Sequence, residues 1–128
     1  MKIEHLALQV ADPKAMAAWY VVQLGMSIER SNDDPVAFFL ADESGQIMLE
    51  IYLQTDFEVP NYASMEPAHL HLAFLSDDIE ADYQRLLAAG ATSVSPVETV
   101  GGGDQVAMLR DPWGLPVQLV TRAEPMLR

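Results

Sequence analysis

Leu6, Leu8 and Val10 alternate with Ile3, His5, Ala7 and Gln9, the period of two that marks a strand with unlike faces. The pattern predicts a first strand over Lys2 to Val10. Asp12 then offers an N-cap and Pro13 a first-turn proline, Met16, Trp19, Tyr20, Gln23 and Leu24 recur at helical spacing, and Gly25 stands where a left-handed cap ends a helix. Three shorter strand-like runs follow, Ser27 to Arg30, Val36 to Ala41 and Gln46 to Leu53, separated by SNDDP and ADESG. The predicted order is βαβββ.

That order recurs. HLHLAFL reads as a strand, Asp77-x-x-Glu80 as a capping box, and Ile79, Tyr83, Leu86 and Leu87 as one helix face ending near Gly90. A strand near Thr92 to Val100, a GGG break, QVAMLR, the turn DPWG and LPVQLVT complete the second unit. Landmarks repeat at nearly constant offsets: His5 to His71 is 66 residues, Gly25 to Gly90 is 65, and Glu50 to Gln118 is 68. The chain therefore divides into a first βαβββ module at 1–53, a linker at 54–66, a second module at 67–122 and a tail at 123–128, an α+β fold of two tandem modules. Two units are too few for a stacked array, which needs about three to bury its faces, so the modules are expected to share one surface and make a single domain.

Parity on the strands carries the chemistry. Leu6 and Leu8 point one way and His5 the other; Ile47, Leu49 and Ile51 share a face opposite Met48, Glu50 and Tyr52. In the second unit Leu70, Leu72 and Phe74 oppose His69 and His71, and Val117 and Leu119 oppose Gln118. His5, Glu50, His71 and Gln118 thus occupy matching positions on the first and fourth strands of the two units, on the face away from the helix. Two imidazoles, a carboxylate and an amide oxygen suit a divalent ion such as Zn, Ni, Co, Mn or Fe(II) rather than copper(I) or an iron–sulfur cluster. Such an ion would offset the cost of turning Glu50, flanked by apolar residues, into a partly desolvated space. Phe39, Met48, Tyr52 and Met108 are candidates to line that space around a substrate. His69, two residues from His71, reads either as a substrate-contacting group or as an exposed strand-edge histidine.

Composition narrows the function classes. Seven Lys and Arg stand against 19 Asp and Glu, a net charge of −12, which argues against nucleic acid or an anionic membrane as partner and makes a small molecule the default ligand; the acidity fits a cationic one. No cysteine is present, so disulfides, thiolate nucleophiles and Cys-type zinc sites drop out. The N-terminal stretch lacks the apolar core of a secretion signal and no apolar run reaches the roughly 18 residues that cross a bilayer. A cytoplasmic location is expected. Gly101 to Gly103 lacks the context of a phosphate-binding loop and reads as a mobile turn.

The pieces IEHLALQVAD, AWYVVQLGM, HLHLAF and LRDPWGLPVQLV resemble the vicinal oxygen chelate superfamily, which groups glyoxalase I, bleomycin and fosfomycin resistance proteins, methylmalonyl-CoA epimerase and extradiol dioxygenases. The resemblance spans nearly the whole chain. It implies paired βαβββ modules whose curved mixed sheets form a cup around a metal, with one ligand from each first and each fourth strand: here His5, Glu50, His71 and Gln118. It further implies a substrate held on the metal through two neighbouring oxygens, Glu50 as the group that moves a proton, and a symmetric homodimer. Glyoxalase I members usually carry Glu where this chain has Gln118, and an amide is no general base, so standard glyoxalase I chemistry is not expected. An isomerase or lyase, or an Fe(II) dioxygenase built on His5, His71 and Glu50, remains; the alternative is a metal-free protein that sequesters a drug or metabolite, as bleomycin resistance members do.

Overall fold

The computed structural model describes residues 1–127 and divides them into two compact units, the second beginning at Asn61. The first unit holds strand β1 (His5–Gln9), helix α1 (Pro13–Leu24) and strands β2 (Ser27–Asp33), β3 (Val36–Ala41) and β4 (Met48–Leu53). The second holds β5 (Leu72–Leu75), α2 (Ile79–Ala88), β6 (Thr92–Thr99), β7 (Gln105–Arg110) and β8 (Pro116–Thr121). Both are the expected βαβββ modules, and the fold is α+β.

Each module builds one four-stranded mixed sheet, ordered β1-β4-β3-β2 in the first and β5-β8-β7-β6 in the second. The opening strand of each module lies parallel to its fourth strand, and the other pairs are antiparallel hairpin neighbours. This follows from the helix. A crossover carries the chain over the sheet and returns it to a place that a tight turn could not reach.

The helices begin and end on local chemistry. The Asp12 carboxylate accepts the Ala15 amide at 3.1 Å with Pro13 in the first turn, and Gly25 closes α1 at φ 67°. In α2 the cap is Asp78, which accepts the Ala81 amide at 3.2 Å, one residue beyond the expected Asp77. Met16, Ala17 and Tyr20 of α1 pack with Leu8, Leu40, Leu49 and Ile51 in the first core; Ile79, Tyr83 and Leu86 of α2 pack with Leu109, Val117 and Leu119 in the second. Burying each large aliphatic side chain is worth about 2 kcal/mol.

Several elements depart from the sequence pattern; strand β4, for one, starts at Met48 rather than Gln46. Strand β1 starts at His5 rather than Lys2. Strand β2 runs on to Asp33, which pairs with Val36 around a two-residue turn at Asp34-Pro35, a cis peptide; the first three residues of the polar run read as a connection are strand. Strand β5 starts at Leu72, because 67–69 form a turn in which the His69 amide donates to Glu66 O at 2.9 Å. The residues Gly101–Gly103 form a kinked turn closing the β6–β7 hairpin, with Gly102 at φ 79° and the Val100 amide bonded to Asp104 O at 2.8 Å.

The segment expected to be a plain linker carries a second 3-10 turn, Tyr62–Ser64, tied into the second unit. The Arg110 guanidinium donates to the carbonyls of Tyr62 at 2.9 Å, Met65 at 2.8 Å and Gly114 at 3.1 Å. Among the described residues no helix is long and apolar enough to cross a membrane.

Candidate functional site

The face of the first sheet that turns away from α1 is set by register. Glu50 pairs with Ala7 on one side and Phe39 on the other, and His5 pairs with Met48. Directly paired residues share a face, so His5, Met48, Glu50, Tyr52 and Phe39 all stand on it, while Leu49 and Ile51 are buried beneath. This is the grouping that alternation alone predicts. Phe39, Met48, Glu50 and Tyr52 are half-buried, and the His5 ring meets Phe39 edge-on, with centroids 5.6 Å apart and planes at 83°.

His5 is held by its chain neighbour. Its Nδ1 is hydrogen-bonded to the Glu4 carboxylate, which raises the imidazole above its ordinary pKa; desolvation opposes this, and the negative charges of Glu4 and Glu50 reinforce it. Glu50 is therefore close enough for its field to reach the ring.

In the second unit Gln118, half-buried, pairs with Ala73 and Met108 on the face opposite Val117 and Leu119. His71 stands one residue before β5, and its Nδ1 is 2.7 Å from Pro67 O. A carbonyl only accepts, so Nδ1 is the donor in this contact. His69 sits in the preceding turn and is exposed. Alternation had set it beside His71 on one strand face; because that strand begins later, parity does not relate them.

Among the described residues no three His, Asp or Glu side chains are gathered into a ready-made metal centre. Each unit instead offers one imidazole and one oxygen donor, His5 with Glu50 and His71 with Gln118. Both imidazoles have Nδ1 engaged by an oxygen acceptor, the kind of hydrogen bond that fixes a ligating histidine. That donor chemistry fits a divalent ion. Sequence reasoning missed Glu4 and Pro67, which anchor the rings, and Arg30, whose guanidinium lies over the Phe39 ring at 5.9 Å. Glu4 was legible as a neighbour of His5. Arg30 needed the length of β2, and Pro67 needed the turn before β5.

Residues 2–119 match the Glyoxalase/Bleomycin resistance protein/Dioxygenase superfamily. The chain belongs to this superfamily. It is 30% identical over 125 residues to a lactoylglutathione lyase of Haemophilus influenzae, a match covering 94% of this chain and 92% of the relative. In structure it resembles a superfamily member from Sphaerobacter thermophilus, with a TM-score of 0.76 and 19% identity over 95% of this chain and 98% of the other. It also resembles TnmS3, an antibiotic-binding protein from Streptomyces sp. CB03234, with a TM-score of 0.75 and 18% identity over 96% and 97% of the two chains. The superfamily fold thus extends over both modules, and the face carrying His5 and Glu50 lies within the matched residues.

Proposed function

We propose that this superfamily member is a metal-dependent enzyme of the lyase or isomerase type, acting on a small oxygen-rich substrate. His5, Glu50, His71 and Gln118 would hold one divalent ion, since the two donors of either unit are too few for the four that such ions take. The observation that carries this reading is the matched anchoring of two imidazoles, each engaged at Nδ1 by an oxygen acceptor. The kinship with a lactoylglutathione lyase supports the reaction class.

Bound there, the ion would supply Lewis acidity toward two neighbouring oxygens of the substrate. Glu50 would take a proton from the carbon beside them and return it. Gln118 contributes an amide oxygen and cannot share that work, so a single carboxylate would serve both directions, unlike a site with a carboxylate in each half. Phe39, Met48, Tyr52 and Met108 would exclude water around the substrate. With Fe(II), the His5, His71 and Glu50 set is that of non-haem oxygenases, the dioxygenase form of the same reading. The functional assembly is taken to be a cytoplasmic homodimer, which light scattering of the purified protein checks.

The test is the metal content of untagged protein purified without chelator, with thermal shifts on adding Ni, Co, Mn, Zn or Fe(II). Stoichiometric metal lost in both His5→Ala and His71→Ala supports the reading. Uptake that survives His71→Ala refutes the shared centre. Absence of uptake favours the second reading, a metal-free binding protein, to which the uncharged amide at position 118 points. Glu50→Gln that keeps the ion and loses turnover assigns the proton transfer.

A further inference from the structure

Among the described residues, three arginines have visible partners. Arg85 is paired with Asp82 at 3.0 Å, Arg122 with Asp104 at 2.7 Å, and Arg110 clasps three backbone carbonyls. Arg30 differs. It is exposed, and among the described residues it makes no ion pair although the chain has 19 acidic residues. The carboxylate next to it in sequence, Glu29, instead accepts the Ser27 hydroxyl at 2.9 Å. What the guanidinium touches is the ring of Phe39, at 5.9 Å.

Phe39 connects Arg30 to the proposed ligands. It pairs with Arg30 on β2 and with Glu50 on β4, and the His5 ring stands against it at 5.6 Å. The sheet face therefore reads, from edge to edge, a free guanidinium, an aromatic ring, then a carboxylate and an imidazole. Neighbouring strands lie about 4.8 Å apart, so Arg30 and Glu50 are separated by roughly 10 Å at the backbone, the length of a small molecule. A guanidinium resting on a ring keeps its N–H edges free for bidentate bonds to a carboxylate.

We propose that Arg30 is a specificity-determining residue, and that the substrate carries a carboxylate at the end opposite its two metal-chelating oxygens, with Phe39 supporting the body between. This deepens the metal-chelate reading above and rests on it. The net charge of −12 fits a cationic ligand only on average over the whole chain, whereas the cation on this face is local. The general acidity makes the requirement stricter: an anion is admitted only if it meets Arg30 and the ion together.

The test compares two probes that differ by one carboxylate, catechol and 3,4-dihydroxybenzoate, by titration calorimetry on the full chain loaded with redox-inert zinc. The wild-type protein is expected to bind 3,4-dihydroxybenzoate about tenfold or more tightly than catechol, the effect of one charge-assisted pair. Arg30→Gln should erase that preference while catechol affinity changes by less than about twofold, and Arg30→Lys should keep part of it. A preference that survives Arg30→Gln, or that is absent from the wild type, overturns the role of Arg30 and leaves the metal reading standing. Catechol binding that needs no zinc, or no catechol binding at all, overturns both. Should Arg30→Gln weaken catechol as well, Arg30→Lys decides, and loss of the carboxylate preference there is also fatal.

Discussion

Gly45 and Gly114 close equivalent turns, Asp42-Glu43-Ser44-Gly45 between β3 and β4 and Asp111-Pro112-Trp113-Gly114 between β7 and β8. In each the glycine amide donates to the aspartate carbonyl, at 3.0 and 2.9 Å, and the glycine has positive φ, 67° and 92°. An alanine in left-handed backbone costs about 1–2 kcal/mol, offset by some 0.4–1 kcal/mol of chain entropy removed from the unfolded state. The surroundings differ. A Cβ at Gly45 meets nothing within 4 Å, whereas at Gly114 it falls 2.7 Å from Ala63 Cα and 2.8 Å from Ala63 N. Those are backbone atoms, and Arg110 holds their segment in place through Tyr62 O and Met65 O. Overpacking of this kind adds about 1–3 kcal/mol. Gly45→Ala should therefore cost about 1 kcal/mol and Gly114→Ala about 3 kcal/mol. For a chain of this size those are losses of about 4 and 12 °C in Tm. Calorimetry or urea unfolding of both variants measures the difference; values within about 0.5 kcal/mol of each other would refute the packing of Ala63 on the turn. Adding Ala63→Gly should give little rescue, since the clash is with main chain.

Other outcomes follow from the same interactions. Asp111→Ala strips the acceptor from the Trp113 and Leu115 amides, each 2.9 Å from Oδ1, and should cost about 3 kcal/mol in urea unfolding, with Asp111→Asn losing less because it retains an oxygen. Burial alone would push Asp82 up, but the Ser76 hydroxyl at 2.5 Å and the Arg85 guanidinium hold it below its ordinary value. A lowered carboxylate gives stability that is present above the unfolded pKa and lost as pH falls through the folded one. Thermal melts should therefore show that Ser76→Ala flattens the loss of Tm as pH falls below about 4, the ordinary carboxylate value. Because Glu4 raises His5, protons should displace metal from the wild type as pH falls through that raised value, and Glu4→Gln should move the midpoint of metal uptake to lower pH in a calorimetric or competition titration.

Much of the fold was legible because both modules mark their elements twice, by alternation and by caps. Leu8 against His5, and Leu49 and Ile51 against Glu50, gave the faces of β1 and β4 before any register was known. Strand β2 was cut short because all its residues are exposed, so no hydrophobic period records it, and its last three residues look like turn chemistry. The error at His69 has the opposite cause. His-Leu-His-Leu alternates well, yet the Glu66–His69 turn bond outcompetes sheet pairing there. Of the proposed ligands, sequence parity located His5 and Glu50 on one face; the Nδ1 anchors lay beyond it, because Pro67 reaches His71 through a turn that alternation does not describe.

The two imidazoles are braced by acceptors of different kinds, a side-chain carboxylate for His5 and a main-chain carbonyl for His71. A carbonyl is a feature of the backbone, which no replacement at its own position removes, whereas the carboxylate belongs to a residue that can change in one step. The donor strength of the first ring can thus drift through selection at position 4 while the second stays fixed. If the two rings are ligands as proposed, one of the pair is tunable and the other constant, and relatives adapted to different ions are expected to diverge first beside the tunable half.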